Sequence, residues 1–190
     1  MNNLEFIDFM NTHNYVEADS FVHKKFHEMS QRAIKLTMEI NTKYHTEAEL
    51  VDLFSKLTCK QISPDFRIFP PFYTDCGINI SLGKNVFINA CCKFQDQGGI
   101  EIGDNVFIGH SVVIATINHN FKPKKRVSMI AKKVKIGNNV WVGSNVTILP
   151  GVTICDGAII GAGSVVTKNI PSNTIAAGNP AKVIKEIGEE

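Results

Sequence analysis

A branched aliphatic residue recurs at every sixth position through the C-terminal half of this chain. The six positions are Ile136, Val142, Ile148, Ile154, Ile160 and Val166. Smaller residues follow four places later in each unit, at Val140, Val146, Val152, Ala158 and Ser164. A helix repeats every 3.6 residues and a strand alternates by two, so neither element alone has this period. A strict short period predicts a solenoid, whose stacked coils bury one shared apolar column.

The same unit extends toward the N-terminus. The spacing of six runs through Leu82, Ile88, Phe94 and Ile100, slips by two residues, and resumes at Ile102, Ile108 and Ile114. The segments 83–86, 103–106 and 137–140 repeat one Gly-X-Asn-Val corner. Glycine and asparagine tolerate the left-handed backbone angles that tight corners require. Three short strands per coil would give a triangular prism, which we expect to occupy residues 61–178.

Residues 1–60 have a different pattern, with apolar side chains at helical spacing. Thr46 and Glu49 form a capping-box sequence that predicts the start of a helix. We expect two or three helices here, too short to form a core alone. They would pack across one end of the solenoid and cover its exposed edge.

The repeat fails between Ile114 and Ile136. The inserted loop 116–133 contains a histidine, a proline and six basic residues. An insertion that projects from a rigid solenoid commonly contains functional residues, although a tolerated surface loop is the alternative.

The C-terminal segment, residues 179–190, reads as a short helix. Asn179 would cap it and Pro180 would take the first helical position. Lys182 and Lys185 would then share one face. Two such lysines could bind a phosphate, while an exposed charged face is the simpler interpretation.

Composition excludes several classes of function. The net charge of +2 is too small to indicate nucleic acid or a membrane surface as partner. No apolar stretch reaches membrane-spanning length, and the N-terminus lacks the features of a signal peptide. The five cysteines are odd in number and have no metal-ligand spacing, so we expect reduced thiols, no metal site and a cytoplasmic location.

Several stretches resemble the hexapeptide-repeat acyltransferases, specifically the maltose and galactoside O-acetyltransferase group. They are NISLGKNVFIN, IEIGDNVFIG, the Asn118-His119 pair, the long segment from VKIGNNVWVG to VVTKNIP, and AAGNPAKVIKEI. The resemblance covers residues 60–188, with a weaker helical likeness before them. It implies a left-handed parallel β-helix, mainly β in class, that forms a homotrimer. It also implies that acetyl-CoA lies in grooves between subunits and that the loop of one subunit reaches over its neighbour.

His119 aligns with the family's catalytic histidine at the head of the loop. Transfer of an acetyl group from a thioester to a hydroxyl needs a base, and imidazole can take the proton and later return it to the thiolate. The other histidines lie in the helical segment, except His110, which falls inside a repeat.

The resemblance also marks residues for the acceptor. Asn89 matches an asparagine that holds or stabilises the reacting groups, although a structural corner asparagine is the alternative. Asp75, Gln97 and Glu17 match positions that contact acceptor hydroxyls. Family members can carry an acid at the position of Gln97.

For acetyl-CoA, the matching positions line the pantetheine and nucleotide groove. They are Ser144, Ala162, Thr167, Lys168, Lys182, Lys185 and Trp141. The two C-terminal lysines stand where the family has basic residues that reach the phosphates, and they keep the charge without the bidentate fork of arginine. Trp141 would form a wall of the cleft or be a packed surface aromatic.

One departure concerns the loop, where His119 is followed by Asn-Phe-Lys-Pro rather than by proline and an acid. The predicted activity is acetyl-CoA-dependent O-acetylation of a saccharide or similar small hydroxyl acceptor. The alternatives are a non-sugar or amine acceptor, such as a xenobiotic or a serine-type compound, and a non-catalytic binding scaffold. A zinc carbonic anhydrase would need three convergent histidines, and the repeat region has two.

Overall fold

The chain folds as three helices followed by a parallel β-solenoid, in a computed structural model that describes residues 1–188. The helices are α1 (Asn3–Thr12), α2 (Phe21–Asn41) and α3 (Glu47–Thr58). Each begins at a side-chain cap, supplied by Asn2, Ser20 and Thr46. The capping box at Thr46 is confirmed, because Glu49 N–H donates to Thr46 Oγ1 and Thr46 N–H donates to Glu49 Oε2.

The solenoid has three sheets, and each of its first four turns contributes one short strand to each sheet. Sheet 1 contains β2 (Arg67–Ile68), β5 (Phe87–Ile88), β8 (Phe107–Ile108), β13 (Trp141–Val142), β16 (Ile159–Ile160), β18 (Thr174–Gly178) and β19 (Ala181–Glu186). Sheet 2 contains β3 (Phe72–Thr74), β6 (Cys92–Gln95), β9 (Val113–Ala115), β14 (Thr147–Ile148) and β17 (Val165–Val166). Sheet 3 contains β4 (Ile80–Leu82), β7 (Ile100–Ile102), β12 (Val134–Ile136) and β15 (Thr153–Ile154). The strands of successive turns pair in parallel, which confirms the predicted parallel solenoid. Its hand stays a prediction.

The six-residue ladder forms the core, as predicted. Every ladder residue from Ile136 to Val166 is buried, and so are the smaller residues four places later. The slip of two residues lengthens the corner between β6 and β7. Both Ile100 and Ile102 in β7 then point into the core.

The helices cover the N-terminal end of the solenoid, as expected. Phe54 of α3 is fully buried against Phe66 and Phe72, with ring centroids 4.7 and 5.3 Å away. These rings continue the apolar column of the solenoid into the helical layer.

The inserted loop folds as a hairpin. Its strands β10 (Ile117–His119) and β11 (Met129–Ala131) are antiparallel, and a 3₁₀ turn at Pro123–Lys125 lies between them. The N-terminal strand β1 (Tyr15–Val16) pairs with β11 and completes a three-stranded sheet. Buried side chains of α1 and α2 pack under it, including Phe6 and Met29. The hairpin is therefore held by a second apolar cluster.

The predicted C-terminal helix is wrong. Residues 181–186 form β19, which pairs antiparallel with β18 after a turn at Asn179 and Pro180. The edge of sheet 1 leaves unpaired N–H and C=O groups on β18, and a returning strand satisfies them. Residues 189–190 of the predicted helix lie outside the described residues.

Candidate functional site

One corner of the prism, between sheets 1 and 2, has glycine or alanine in its last four turns, and we call it the glycine corner. Its stacked row is Phe69, Asn89, Gly109, Gly143, Gly161 and Ala177, each of the first five donating its backbone N–H to the next turn. A Cβ at Gly109 would lie 2.6 Å from the backbone N of Ser144, and one at Gly143 would lie 2.7 Å from that of Ala162. Glycine is therefore what lets the turns stack this closely.

Asn89 is the polar residue of this row. Its backbone N–H donates to Ile108, and its side-chain Oδ1 accepts from the N–H of Ala90 at 2.9 Å. Because Oδ1 is engaged locally, the side-chain amide Nδ2 is the group oriented to donate to a ligand. Asn89 is half-buried, so this corner position both fixes the side chain and leaves it accessible.

Ser144 and Ala162 stand one residue beyond the glycine row. Ser144 Oγ accepts from the backbone N–H of His110 at 3.2 Å, and Ala162 is exposed. A Cβ placed on Gly163 would meet nothing within 4 Å. Trp141 lies on the adjoining face of sheet 1 with 55% of its surface exposed. These residues lie next to one another along the exposed surface of the glycine corner.

Lys182 and Lys185 lie at the far end of the glycine corner, on β19 rather than on a helix. They pair with Ala177 and Ile175, which are two residues apart on β18 and so share a face. A register shift between these pairs, with the extra residue on β19, brings the lysines to that same face. From Asn89 to Lys182 the row crosses five strand spacings, or about 24 Å at ~4.8 Å each.

The next corner, between sheets 2 and 3, carries the hairpin, and we call it the hairpin corner. Asp75 and Gln97 meet here, with Gln97 Nε2 donating to Asp75 Oδ2 at 3.2 Å. Gln97 is 8% exposed, and its Oε1 has no hydrogen-bond partner among the described residues. Thr167 and Lys168 occupy this corner farther along, both exposed. The structure thus separates them from Ser144 and Ala162.

Asp96 is a buried carboxyl at this corner that sequence reasoning missed. It accepts from the Thr74 hydroxyl at 2.7 Å and from the N–H groups of Cys76 and Asn79. Burial raises the pKa of this carboxyl above its usual range, while those hydrogen bonds oppose the shift. The sequence contained one signal for this role, an acid just before the Gly98-Gly99 pair. A tight corner leaves backbone N–H groups unpaired, and a nearby carboxylate can accept from them. Asp96 secures the corner beneath Asp75 and Gln97.

His119 is exposed at the end of β10, and its ring is held from one side. Nδ1 lies 2.8 Å from the carbonyl oxygen of Arg126. A carbonyl oxygen only accepts, so Nδ1 carries the proton in this bond and Nε2 of the neutral ring keeps a free lone pair. Arg126 also closes the turn, because its side chain donates to the carbonyls of Asn120 and Phe121 at 3.2 and 3.1 Å.

Glu17 lies on the same side of the molecule as His119. It follows β1 and is exposed, and the next N–H, of Ala18, donates to Ser128 Oγ at 3.2 Å. Val16 and His119 flank Met129 from either side, which separates their backbones by about two strand spacings, or ~10 Å.

An open cavity of about 640 Å³ lies beside the base of the hairpin. It is lined by the end of α1 and by Tyr15, Gly98 and Lys133. None of the residues predicted for the site lines this cavity.

The site residues therefore fall into two groups at opposite edges of sheet 2. Along the glycine corner and the adjoining face of sheet 1 lie Asn89, Ser144, Ala162, Trp141, Lys182 and Lys185. Along the hairpin corner lie Asp75, Gln97, Thr167 and Lys168, with His119 and Glu17 on the three-stranded sheet that rises from it.

Within residues 1–188, no group of three His, Cys, Asp or Glu side chains is placed to hold a metal ion. No helix in the same range is long and apolar enough to cross a bilayer.

A parallel solenoid built from hexapeptide repeats, with a histidine on one inserted hairpin, is typical of the hexapeptide-repeat transferases. The family pattern for the bacterial transferase hexapeptide (six repeats) matches residues 133–168. Galactoside O-acetyltransferase of Escherichia coli K12 is 38% identical over 164 residues, which are 85% of this chain and 81% of that one.

Solved structures show the same relationship. A maltose O-acetyltransferase from Clostridium difficile 630 superposes with a TM-score of 0.87 at 37% identity, covering 96% of this chain and 97% of that one. A galactoside acetyltransferase in complex with coenzyme A gives a TM-score of 0.82 at 33% identity, with coverages of 96% and 91%. The chain belongs to the hexapeptide-repeat acetyltransferase family of the galactoside and maltose O-acetyltransferases, and it is an acetyltransferase.

Proposed function

We propose that this acetyltransferase moves an acetyl group from acetyl-CoA to a hydroxyl of a saccharide or similar small acceptor, with His119 as general base. The observation that carries this proposal is the bond between His119 Nδ1 and the Arg126 carbonyl. It leaves Nε2 as an accessible proton acceptor on a braced hairpin.

The reaction then needs no metal-bound water and no covalent enzyme intermediate. Nε2 of His119 takes the proton as the acceptor oxygen attacks the thioester carbonyl carbon, and a tetrahedral oxyanion forms. The Nδ2 amide of Asn89 is the proposed donor to this oxyanion. The C–S bond breaks as the oxyanion collapses, and the imidazolium returns its proton to the leaving thiolate of CoA.

The glycine corner suits acetyl-CoA as substrate. It is a row of stacked residues about 24 Å long, at ~4.8 Å for each strand spacing, with an amide donor at one end and two exposed lysines at the other. An extended thioester with its phosphates far from its reactive end matches that polarity. The galactoside acetyltransferase solved with coenzyme A supports the same ligand.

We also propose that each active site lies between two copies of the chain, in a cytoplasmic homotrimer. Asn89 and His119 act on oxygen atoms bonded to the same carbonyl carbon in this mechanism, yet they belong to opposite edges of sheet 2 in one chain. A second copy that brings its hairpin corner to the first copy's glycine corner would complete the site. Thr167 and Lys168 would then approach acetyl-CoA from that second copy.

The names of the relatives favour a saccharide acceptor, since they are galactoside and maltose O-acetyltransferases. Glu17 and Asp75 fit this class, because a carboxylate can accept hydrogen bonds from two neighbouring hydroxyls. Gln97 offers an acceptor and donor pair in place of an acid, and the Lys-rich turn after His119 surrounds the hydroxyl with positive charge.

An acetyl-CoA consumption assay over a panel of sugars, amino sugars, alcohols and amines tests this function. We expect turnover with at least one saccharide and an ester-linked acetyl group in the product by mass spectrometry and NMR. Turnover with amines alone would move the activity to N-acetylation. Absence of both turnover and calorimetric CoA binding at millimolar concentration would favour a non-catalytic scaffold.

Arg126 is expected to matter as a positioning residue. Substitution by methionine removes both side-chain hydrogen bonds that close the turn, so the carbonyl that holds His119 becomes mobile. We expect kcat to fall by about tenfold, since small displacements of a catalytic group are costly. The KM for acetyl-CoA should change less than about twofold, because the glycine corner is untouched.

Steady-state kinetics of Arg126→Met beside Lys124→Met checks this. Lys124 is an exposed lysine of the same turn, so its substitution removes the same charge without touching the two hydrogen bonds of Arg126. Equal losses of kcat in the two variants would assign the effect to charge and contradict a positioning role.

A further inference from the structure

The hairpin ends in a strongly basic turn, residues 121–127, which we call the cationic turn. Four of its seven residues are lysine or arginine, and neither the turn nor the two strands beside it contain an acid. All seven residues are exposed. The three lysines, Lys122, Lys124 and Lys125, form no ion pair within residues 1–188. The turn therefore presents a concentrated positive charge to solvent.

Hydrogen bonds hold the cationic turn in one shape. The N–H of Asn120 donates to the Ser128 carbonyl at 2.9 Å and closes the turn. The N–H of Lys125 donates to the Lys122 carbonyl at 2.9 Å, and Pro123 takes the position that favours proline in a β-turn. This bond keeps the Cα atoms of the two lysines within ~7 Å of each other. Two ammonium groups can therefore reach one anion without any cost of ordering the backbone.

The cationic turn adjoins the proposed catalytic base. Its Arg126 carbonyl accepts from His119 Nδ1 at 2.8 Å. The proposed sites for the CoA phosphates, Lys182 and Lys185, lie about 24 Å from Asn89 along the glycine corner, at ~4.8 Å for each strand spacing. Asn89 and His119 meet at the thioester in the proposed reaction. The cationic turn then lies beside the acceptor, at the opposite end of acetyl-CoA from its phosphates.

We infer that the cationic turn binds an anionic group of the acceptor, which makes the preferred substrate a negatively charged saccharide that carries a phosphate or a carboxylate. The inference rests on the proposed function, since it places the reacting hydroxyl at His119. Hydroxyls of the sugar meet Glu17 and Asp75, while the anionic group lies over Lys122 and Lys125. Exposed ion pairs each strengthen binding by roughly threefold, so a phosphate that contacts both lysines gains about tenfold.

A matched set of acceptors tests the inference: the methyl glycoside, the carboxymethyl glycoside and the 1-phosphate of α-galactose, each with acetyl-CoA. All three leave the same ring hydroxyls free, and their charge increases from none, through a single carboxylate, to about −2 for the phosphate at neutral pH. We expect kcat/KM for the 1-phosphate to exceed that for the methyl glycoside by about tenfold at low salt. The rank of the carboxymethyl compound shows whether the turn prefers a phosphate or a carboxylate.

Salt provides a second measurement of the same preference. Between about 0.02 and 0.5 M NaCl the Debye length shortens from ~20 Å to ~4 Å. We expect the advantage of the 1-phosphate over the methyl glycoside to fall by at least about threefold over this range, because the lysines are exposed. A smaller fall would show that the preference is not electrostatic and would overturn the inference.

The test variant removes the lysine charges of the turn through Lys122→Gln, Lys124→Gln and Lys125→Gln together. All three side chains are exposed, so the fold should persist. We expect the advantage of the 1-phosphate at low salt to fall by at least about threefold. A smaller fall would overturn the inference.

The control variant removes three exposed lysines of the helical layer through Lys35→Gln, Lys43→Gln and Lys56→Gln, so it changes the net charge by the same amount. The second half of α2 and all of α3 pack on the solenoid core rather than under the hairpin. The control should therefore keep the advantage of the 1-phosphate. An equal loss in the control would assign the preference to the net charge of the protein and overturn the inference.

Calorimetric binding of the methyl glycoside and the 1-phosphate, both in the presence of CoA, separates this inference from the proposed function. Tighter binding of the 1-phosphate that the turn variant loses would support the inference even without turnover, and absent turnover would then contradict the acetylation proposal alone. Turnover with equal kcat/KM for the charged and neutral acceptors would overturn the inference alone, as would equal or absent binding of both compounds. A rise in the KM for acetyl-CoA as large as that for the 1-phosphate would show that the turn binds CoA, and would also overturn the inference.

Discussion

Replacing His119 with alanine is expected to lower kcat/KM for acetyl transfer by about 10²–10⁴-fold, the contribution typical of a positioned general base. The acceptor hydroxyl would then attack without a partner for its proton. The dissociation constant of CoA should stay within about twofold of its original value, because the lysines and small residues proposed to bind it lie at the glycine corner. The hairpin should keep its fold, since its packing depends on Ile117, Met129 and Ala131.

Stopped-time assays of CoA release and calorimetry of CoA binding measure these two effects separately. His27→Ala is a matched control, since His27 is an exposed histidine on α2. Turnover of His119→Ala within about twofold of the unmodified protein would remove His119 from the mechanism.

Mixing two inactive variants should restore activity if the site lies between copies. In a trimer assembled from equal amounts of Asn89→Ala and His119→Ala chains, one contact in four pairs an intact glycine corner with an intact hairpin. We therefore expect recovery of about a quarter of the original activity after the chains are exchanged and reassembled. Each variant alone should stay at its low residual rate.

Co-refolding or co-expression of differently tagged chains provides the mixed assemblies, and their mass by light scattering reports whether they are trimers. Mixing His119→Ala with His119→Asn is the control, because both lesions lie in the hairpin and no combination repairs it. A mixed assembly that stays as inactive as its components would show that Asn89 and His119 of one chain act together.

Several features of the fold were predictable from local sequence because their causes are local. The ladder from Ile136 to Val166 has a period that only stacked short strands satisfy, and all six residues are buried. The capping box at Thr46 and the apolar face of α3 likewise depend on neighbours within one or two helical turns. For the acceptor and CoA residues, the resemblance supplied positions, and the structure supplied the corners on which they lie.

The C-terminal segment shows where that reasoning failed. Asn179-Pro180 suits a helix start and a turn equally well, and Val183 and Ile184 suit a strand. The unpaired edge of β18 favours a strand here, because β19 then satisfies its backbone groups. That edge exists only in the assembled sheet, so the local sequence does not reveal it. Phosphate binding by Lys182 and Lys185 stays a proposal. The predicted helix would have put both lysines on one face, and in the structure the register shift in β19 does the same.

The sequence by itself determined the solenoid, its helical cover and the position of the histidine-bearing insertion, since hydrophobic period and caps act between near neighbours. Only the tertiary structure decided that Asn89 and His119 lie on different corners, and that the Arg126 carbonyl leaves Nε2 of His119 free. These relations depend on which turns stack on which, and residues 20 or more positions apart become neighbours only when the backbone hydrogen bonds between turns form.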